Sequence, residues 1–457
     1  MISTATLSKL SKVVGPDRLK TDPVSLAAHS FDGYVAEGFP GAVVFPKTTA
    51  EVAQIMAIAS DGKIPVTARG SGTNLSGGAI PVQSGLVLCL TQMNQIIEIS
   101  TADRYAIVQP GVVNGDLQHA LHPLNFFFPP DPSSYSVSTI GGNIAEDAGG
   151  PRCLKYGVTH DYILGLEVVL SSGKIVRLGS RNVKDVTGYR PAGLFCGSEG
   201  TLGIVTEAIL KIAPMPKARR TAMICYADLD DTANTVVSVI GAGVIPAAME
   251  LMDNTVINLI EDATEVGLPR DVEGILLVDV DGSEGSVDYE LAQIVAVAKA
   301  NHATEINVAT TAAESDALWK GRRSVYGVLN RLSPTTIVED ATVPVSKIPA
   351  MIRGCRAIAL KHNITLSILG HAGDGNLHPC INTDNRNKSE SHRVEAAIRE
   401  IFQLAIELGG CLSGEHGIGL AKSRFLTMGM SADSIDLLST IKRAIDPHNI
   451  LNPGKFT

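Results

Sequence analysis

The chain has 457 residues, more than one hydrophobic core usually serves, so two or three domains are expected. Only 19% of residues are charged, which argues against a disordered chain and for extensive burial, and the 44 glycines are expected to serve tight turns or close ligand approach. The formal charge of −9 leaves no electrostatic case for nucleic acid as a partner.

The opening Met1-Ile-Ser-Thr-Ala-Thr-Leu-Ser-Lys-Leu has no basic region followed by a sustained apolar segment, which argues against a secretory signal. No stretch approaches the length of apolar sequence that spans a bilayer. The expectation is a cytoplasmic protein, or one held at the membrane periphery by a partner. Val43-Val44-Phe45 reads as a short strand, followed by an amphipathic helix through Ala59 that Thr48 or Thr49 can cap. Ile64 to Ala68 reads as a second strand. It delivers Arg69-Gly70-Ser71-Gly72-Thr73-Asn74-Leu75-Ser76-Gly77-Gly78, whose successive N–H groups can surround a phosphate or diphosphate; a structural turn cluster is the alternative. The loop has neither a Walker lysine nor the dinucleotide-fold glycine spacing.

Two more polar, glycine-rich segments follow. Pro130-Asp131-Pro-Ser133-Ser134 leads into Thr139-Ile-Gly-Gly142-Asn143 and on to Gly149-Gly150, offering hydrogen bonds to a polar ring or phosphate. Ser198-Glu199-Gly200-Thr-Leu-Gly203-Ile204-Val205 ends in a β-branched run. Between them, Tyr162–Leu170 and Lys174–Leu178 flank Ser171-Ser-Gly173, a strand-turn-strand pattern. Three such segments suit one long cofactor better than three unrelated turns. The prolines of Ala213-Pro-Met-Pro216 mark a domain boundary.

In the second half, Met223–Tyr226 and Gly274–Val280 read as buried strands, and Tyr289 to Lys299 as an amphipathic helix. Ser367-Ile-Leu-Gly370 reads as a strand end, so His371 would open a loop at its exit and His378 could fold back beside it. Two imidazoles with Glu415 form a ligand set for a divalent metal, and His416 is then available as a proton acceptor. Hydrogen-bonded structural histidines are the bland alternative. The seven cysteines include no Cys-x-x-Cys, which excludes a ferredoxin-type cluster motif and gives no disulfide framework; Cys380 sits close enough to His378 to line a site.

Arg69 to Gly78, Pro130 to Ser134, Thr139 to Gly150, Lys184-Asp-Val-Thr-Gly-Tyr189, Gly197 to Thr206, His371 to His378 and Ser413 to Gly419 occur in an order that resembles the vanillyl-alcohol oxidase/PCMH flavoprotein superfamily, and within it the GlcD/D-lactate dehydrogenase group. The resemblance runs from about residue 38 to Pro453-Gly454. It implies an α+β fold: a PCMH-type FAD-binding domain over residues 1–215 and an α+β substrate or cap domain over 216–457, whose final helical region returns to the first. FAD would contact Arg69 to Gly78 through its diphosphate, with Pro130 to Gly150 and Gly197 to Thr206 completing the adenine and isoalloxazine contacts. No His or Cys lies in the Arg69 to Gly78 loop, so the flavin is expected to be non-covalent.

The same resemblance implies oxidation of a small D-2-hydroxy acid. Arg322 would clamp its carboxylate, with Tyr326 as a substrate contact or a packing residue, and His416 would take the hydroxyl proton. His371, His378 and Glu415 would hold a divalent metal, zinc being the expected ion. A solvent-exposed Arg322-Arg323 pair is the alternative for the clamp. Cys380 stands where relatives that oxidise 2-hydroxyglutarate carry Asn, and their lysine is absent from Ile337-Val338-Glu339-Asp340; this favours D-lactate or glycolate. A separate electron acceptor or electron-transfer protein must reoxidise the flavin, and a homo-oligomer or additional redox subunits are compatible. D-2-hydroxyglutarate dehydrogenase, an oxygen-using oxidase, a metal-dependent hydrolase and a non-catalytic flavoprotein subunit are the competing readings.

Overall fold

The computed structural model describes residues 2–82 and 84–456, and the chain divides into two compact units. The first comprises Met1–Gly149, Val158–Met215 and Glu415–Thr457; the second comprises Gly150–Gly157 and Pro216–Gly414. The break at Met215 falls within the proline-marked boundary. Both units mix helices with sheets.

In the first unit, a four-stranded sheet has the order Leu19–Lys20, Ala42–Val44, Leu86–Cys89, Val66–Arg69, the last three strands running parallel. Helix Thr49–Asp61 supplies the crossover, and Thr48 caps it by accepting from Glu51 N. Its apolar residues Val52, Ile55, Met56 and Ala59 fall on one face at helical spacing and pack with Val44, Val66, Leu86 and Leu88. A five-stranded antiparallel sheet has the order Ile96–Ser100, Tyr105–Val108, Ile204–Lys211, Ile163–Val169, Ile175–Gly179. The hairpin Ile163–Gly179 is the strand-turn-strand pattern, and Gly173 with φ of 81° supplies a turn conformation that side-chain-bearing residues rarely adopt.

The second unit is built on one antiparallel sheet. Its order is Glu305–Val308, Ala218–Tyr226, Gly274–Gly282, Ala248–Asp253, Thr365–His371, Asn376–Thr383, Thr335–Val338, with Ala341–Thr342 also pairing to Asn376–Thr383. One sheet face carries Met223, Cys225, Ile275, Met252, Leu369 and Cys380, covered by helices Asn254–Thr264 and Val325–Leu329. Helix Glu284–Ala300 extends beyond the predicted Tyr289–Lys299 segment. Among the described residues no helix is long and apolar enough to cross a membrane.

Candidate active site

The register of the second unit's sheet places its polar side chains. Leu369 pairs with His378, His371 with Asn376, and Glu250 with His371 on the neighbouring strand. Opposed residues of antiparallel strands share a face, so Glu250, His371, Asn376 and His378 continue the apolar face ending at Met252, Leu369 and Cys380. His371 closes its strand instead of opening the loop, because its backbone still pairs with Glu250 and Asn376. The turn back to His378 is a 3₁₀ segment, Ala372–Asp374, followed by Gly375 at φ 84°.

The two imidazoles stand nearly perpendicular, ring centroids 5.2 Å apart, and both residues are buried. His371 Nδ1 lies 2.6 Å from Glu250 Oε1. A carboxylate only accepts, so Nδ1 carries the proton and Nε2 keeps its lone pair. Glu250 Oε2 lies 2.6 Å from an Arg322 Nη, with both side chains almost wholly buried. Burial alone would raise the Glu250 carboxyl, but His371 and Arg322 beside it outweigh that and hold the group below its ordinary value. Glu250 is therefore an anion, with Oε1 in the His371 contact and Oε2 ion-paired to Arg322 without a hydrogen bond among the described residues.

Arg322 reaches this face because helix Ala312–Arg323 packs Trp319 and Arg322, three residues apart, towards the sheet. Trp319 Nε1 donates to Asp279 Oδ1 at 3.0 Å, a packing role. An exposed Arg322-Arg323 pair is thus ruled out: Arg323 is exposed and Arg322 is buried. Arg322 Nε has no hydrogen-bond partner among the described residues, leaving an N–H donor to offer an anion. Tyr326 is 41% exposed, while Val325, Val328 and Leu329 carry its helix's contact with the core. Cys380 is 1% exposed inside the apolar cluster, and burial pushes its thiol well up. Asp340 accepts from Ser413 Oγ at 2.7 Å and Gly414 N at 2.8 Å, and lies 4.0 Å from His378 Nδ1. It therefore fixes the backbone immediately before Glu415. Glu250 is the residue that the sequence reading missed; its signal was one acid inside the apolar strand Ala-Met-Glu-Leu-Met-Asp.

In the first unit, the loop Arg69 to Gly78 is organised around one side chain. Asn74 Oδ1 accepts from Ser76 N at 2.9 Å and Gly78 N at 2.7 Å, while Asn74 Nδ2 donates to His416 O at 3.1 Å. Ser76 Oγ also donates to His416 O, at 2.8 Å. Gly72 and Gly77 adopt φ of 74° and 84°, which lets the loop close on itself. Arg69 is buried and donates to Phe31 O at 2.6 Å, with its guanidinium packed against Gly72. Ser71 Oγ donates to Val137 O at 2.6 Å, and Gly70 abuts Thr139, so the first two glycine-rich segments touch. Thr73 is half-buried.

Thr139 caps helix Ile140–Glu146 by accepting from Gly142 N. On either side of it, Ser138 Oγ and Asn143 Nδ2 are buried with no partner among the described residues. Such donors suit the polar edges of a flavin nucleotide. Of the turn before them, Pro130 O accepts from Asn114 Nδ2, Asp131 and Ser134 are half-buried, and Ser133 is exposed. Gly149 and Gly150 are buried at the end of the segment, Gly149 in the first unit and Gly150 in the second. Gly200, at φ 68°, has a neighbour no closer than Ala68 Cβ at 3.6 Å, whereas Gly203 is required because a Cβ would collide with Val168 and Phe195. Ile204 and Val205 are buried, and Ile204 belongs to the unit's apolar core, so it has only its backbone to offer a ligand.

Glu199 is held at φ 49° and accepts from Ile418 N at 2.6 Å and Gly419 N at 2.8 Å. Its side chain thus positions the backbone just beyond His416. Burial pushes the Glu199 carboxyl up to about 7 against the pull of those N–H groups, and Glu146 is pushed well up by burial and then by Glu199. Lys455, fully buried, is lowered to about 8 by burial. His416 Nε2 lies 3.6 Å from Glu415 Oε1.

Residues 40–179 match the FAD binding domain family and residues 215–456 match the family described as FAD linked oxidases, C-terminal domain. The chain is 46% identical over its full length to a glycolate oxidase subunit GlcD of Bacillus subtilis, covering 97% of that protein. It is 36% identical to a GlcD of Escherichia coli, with 97% of this chain and 89% of that one aligned. A D-lactate dehydrogenase of Archaeoglobus fulgidus is 34% identical, with 98% of each chain aligned. Among solved structures, p-cresol methylhydroxylase with substrate bound shares the fold at TM-score 0.83 and 20% identity, over 99% of this chain and 96% of that one. By these matches, which together span both units, the chain belongs to the FAD-linked oxidases.

Proposed function

We propose that this protein oxidises a small D-2-hydroxy acid, glycolate or D-lactate, to the 2-oxo acid, passing the electrons to FAD and then to a separate acceptor. The observation that carries the reading is the buried row Arg322–Glu250–His371 beside His378, a carboxylate clamp and an imidazole pair joined by one anion. Full-length similarity to proteins named glycolate oxidase subunit and D-lactate dehydrogenase supports the substrate class.

FAD, when bound, supplies the two-electron acceptor. Arg69 to Gly78 would cradle its diphosphate through backbone N–H groups, and the Ser138 and Asn143 donors would meet its polar edges. The Arg322 N–H left over from Glu250 binds the substrate carboxylate and orients C2. His416, whose carbonyl is pinned by Asn74 and Ser76, accepts the hydroxyl proton. The donor set fits a divalent ion: His371 Nε2, His378 and Glu415 would hold it, zinc being the expected metal, and it would acidify the substrate hydroxyl. Cys380 and Ile337 offer no cation for a second carboxylate, which favours the small monocarboxylates.

The acceptor is a separate protein or small molecule. The word subunit in two relatives' names supports additional redox chains, and any iron–sulfur cluster would reside in them. We place the protein in the cytoplasm, held at the membrane only through such a partner. Anaerobic addition of glycolate or D-lactate to flavin-loaded, zinc-replete protein should bleach the visible flavin band. A band that persists with both acids but bleaches with D-2-hydroxyglutarate would overturn the substrate assignment; rapid peroxide release in air would identify an oxygen-using oxidase.

A further inference from the structure

We propose that Glu250 is a positioning residue that sets the substrate clamp and a metal ligand at once, so that the hydroxy acid and the ion are bound by one shared device. The inference rests on the hydroxy-acid reading above and gives the acid that joins clamp and imidazole a task of its own. Glu250 is wholly buried on the central strand Ala248–Asp253. Its two oxygens point to different tasks: Oε1 is 2.6 Å from His371 Nδ1 and Oε2 is 2.6 Å from Arg322.

Each contact leaves its partner with a second function. With Nδ1–H given to Oε1, His371 presents Nε2 as its ligand atom, in one tautomer and one ring orientation. With one Nη ion-paired to Oε2, Arg322 is tied to the same carboxylate, and its Nε–H, without a hydrogen-bond partner among the described residues, remains for an anion. The strand that bears Glu250 pairs backbone to backbone with the strand that bears His371, so the spacing of the two is set by the sheet and not by a flexible loop. Only a carboxylate can serve both neighbours. An amide has one acceptor and one donor, and its NH₂ would face the guanidinium.

The test uses full-length, flavin-loaded protein and Glu250→Gln. Zinc affinity is measured by competition with a chromophoric chelator, and kcat and KM are measured with glycolate and D-lactate. Wild type and variant should carry equal FAD. The zinc Kd of the variant should rise about 10- to 100-fold, the range for loss of a partner behind a metal-binding histidine. The KM for the acid should rise at least about tenfold, and saturating zinc should restore kcat but not KM. A glutamate that merely fills space would not separate the two parameters in this way.

If either the zinc Kd or the KM stays within about twofold of wild type, the shared role is wrong. Should Glu250→Gln fail to accumulate as flavin-loaded protein, Glu250→Asp reads the same question, because a shorter carboxylate keeps the charge but cannot reach both partners. Failure of the underlying reading looks different: wild-type protein would itself bind no zinc and show no flavin reduction with either acid.

Discussion

Asn74→Ala is the most exacting perturbation of the flavin loop. The substitution removes the acceptor from Ser76 N and Gly78 N, at 2.9 and 2.7 Å, and the donor to His416 O. Ser76 and Gly78 are buried, so water restores these bonds incompletely. An unsatisfied buried backbone donor costs about 1–3 kcal/mol. At the low end for both, the loop's bound shape loses about 2 kcal/mol, which is about 30-fold in FAD affinity at 1.4 kcal/mol per decade. The assay is FAD binding to apoprotein by flavin fluorescence, paired with the anaerobic rate of flavin reduction at saturating FAD. The rate should also fall, since the His416 carbonyl loses the Asn74 Nδ2 donor. Asn74→Asp retains the acceptor and should recover most of the FAD affinity while leaving the rate depressed. An Asn74→Ala protein whose FAD affinity and reduction rate both lie within twofold of wild type would refute the reasoning.

Three further outcomes are expected. His416→Ala should retain its flavin spectrum and lose at least about 100-fold in reduction rate, the usual span for a general base; unchanged reduction in stopped flow would remove it from the proton path. Arg322→Lys should keep the Glu250 ion pair yet raise KM for the acid, because a point charge cannot replace the planar fork, and wild-type steady-state kinetics would contradict the clamp. Glu199 has a folded pKa raised from 4.5 to about 7, so its contribution to stability is full below 4.5 and lost as pH rises through 7. The loss is about 3 kcal/mol, and Glu199→Gln should flatten the melting temperature of the flavin-loaded protein over that window; an unaltered slope would mean that the carboxyl titrates normally.

Much of this arrangement is legible in the residues because periodicity is local. Tyr162 to Leu178 alternates around Ser-Ser-Gly and forms the hairpin; Val52, Ile55, Met56 and Ala59 mark a helix face; Ala213 to Pro216 marks where the units part. His371 and His378 can be suspected of meeting because a seven-residue spacing with glycines suits a tight antiparallel return. Glu250 could not be found this way. It meets His371 across 121 positions and Arg322 from another element, and nothing near Ala248 to Asp253 announces either partner. Asn74 and Glu199 illustrate a different blind spot. Polar residues in a glycine-rich loop read as ligand contacts, yet Asn74 spends its side chain on its own loop and on His416, and Glu199 spends its on Ile418 and Gly419.

The last few residues of the chain are sewn into its beginning. Ile450 O accepts from Val66 N, Asn452 Nδ2 donates to both Gly78 O and Glu199 O, and Lys455 Nζ donates to Ile80 O at 2.6 Å. A ribosome making this protein therefore completes the first unit only after it has synthesised the whole of the second. At ordinary elongation rates of about 5–20 residues per second, the intervening stretch from Pro216 to Gly414 takes on the order of 10 to 40 s. During that interval the strand edge at Val66 and the carbonyls of Gly78 and Ile80 wait without their partners. The nascent first unit is thus a natural client for chaperones, and an affinity tag fused directly after Lys455 would burden the final stitch of the fold.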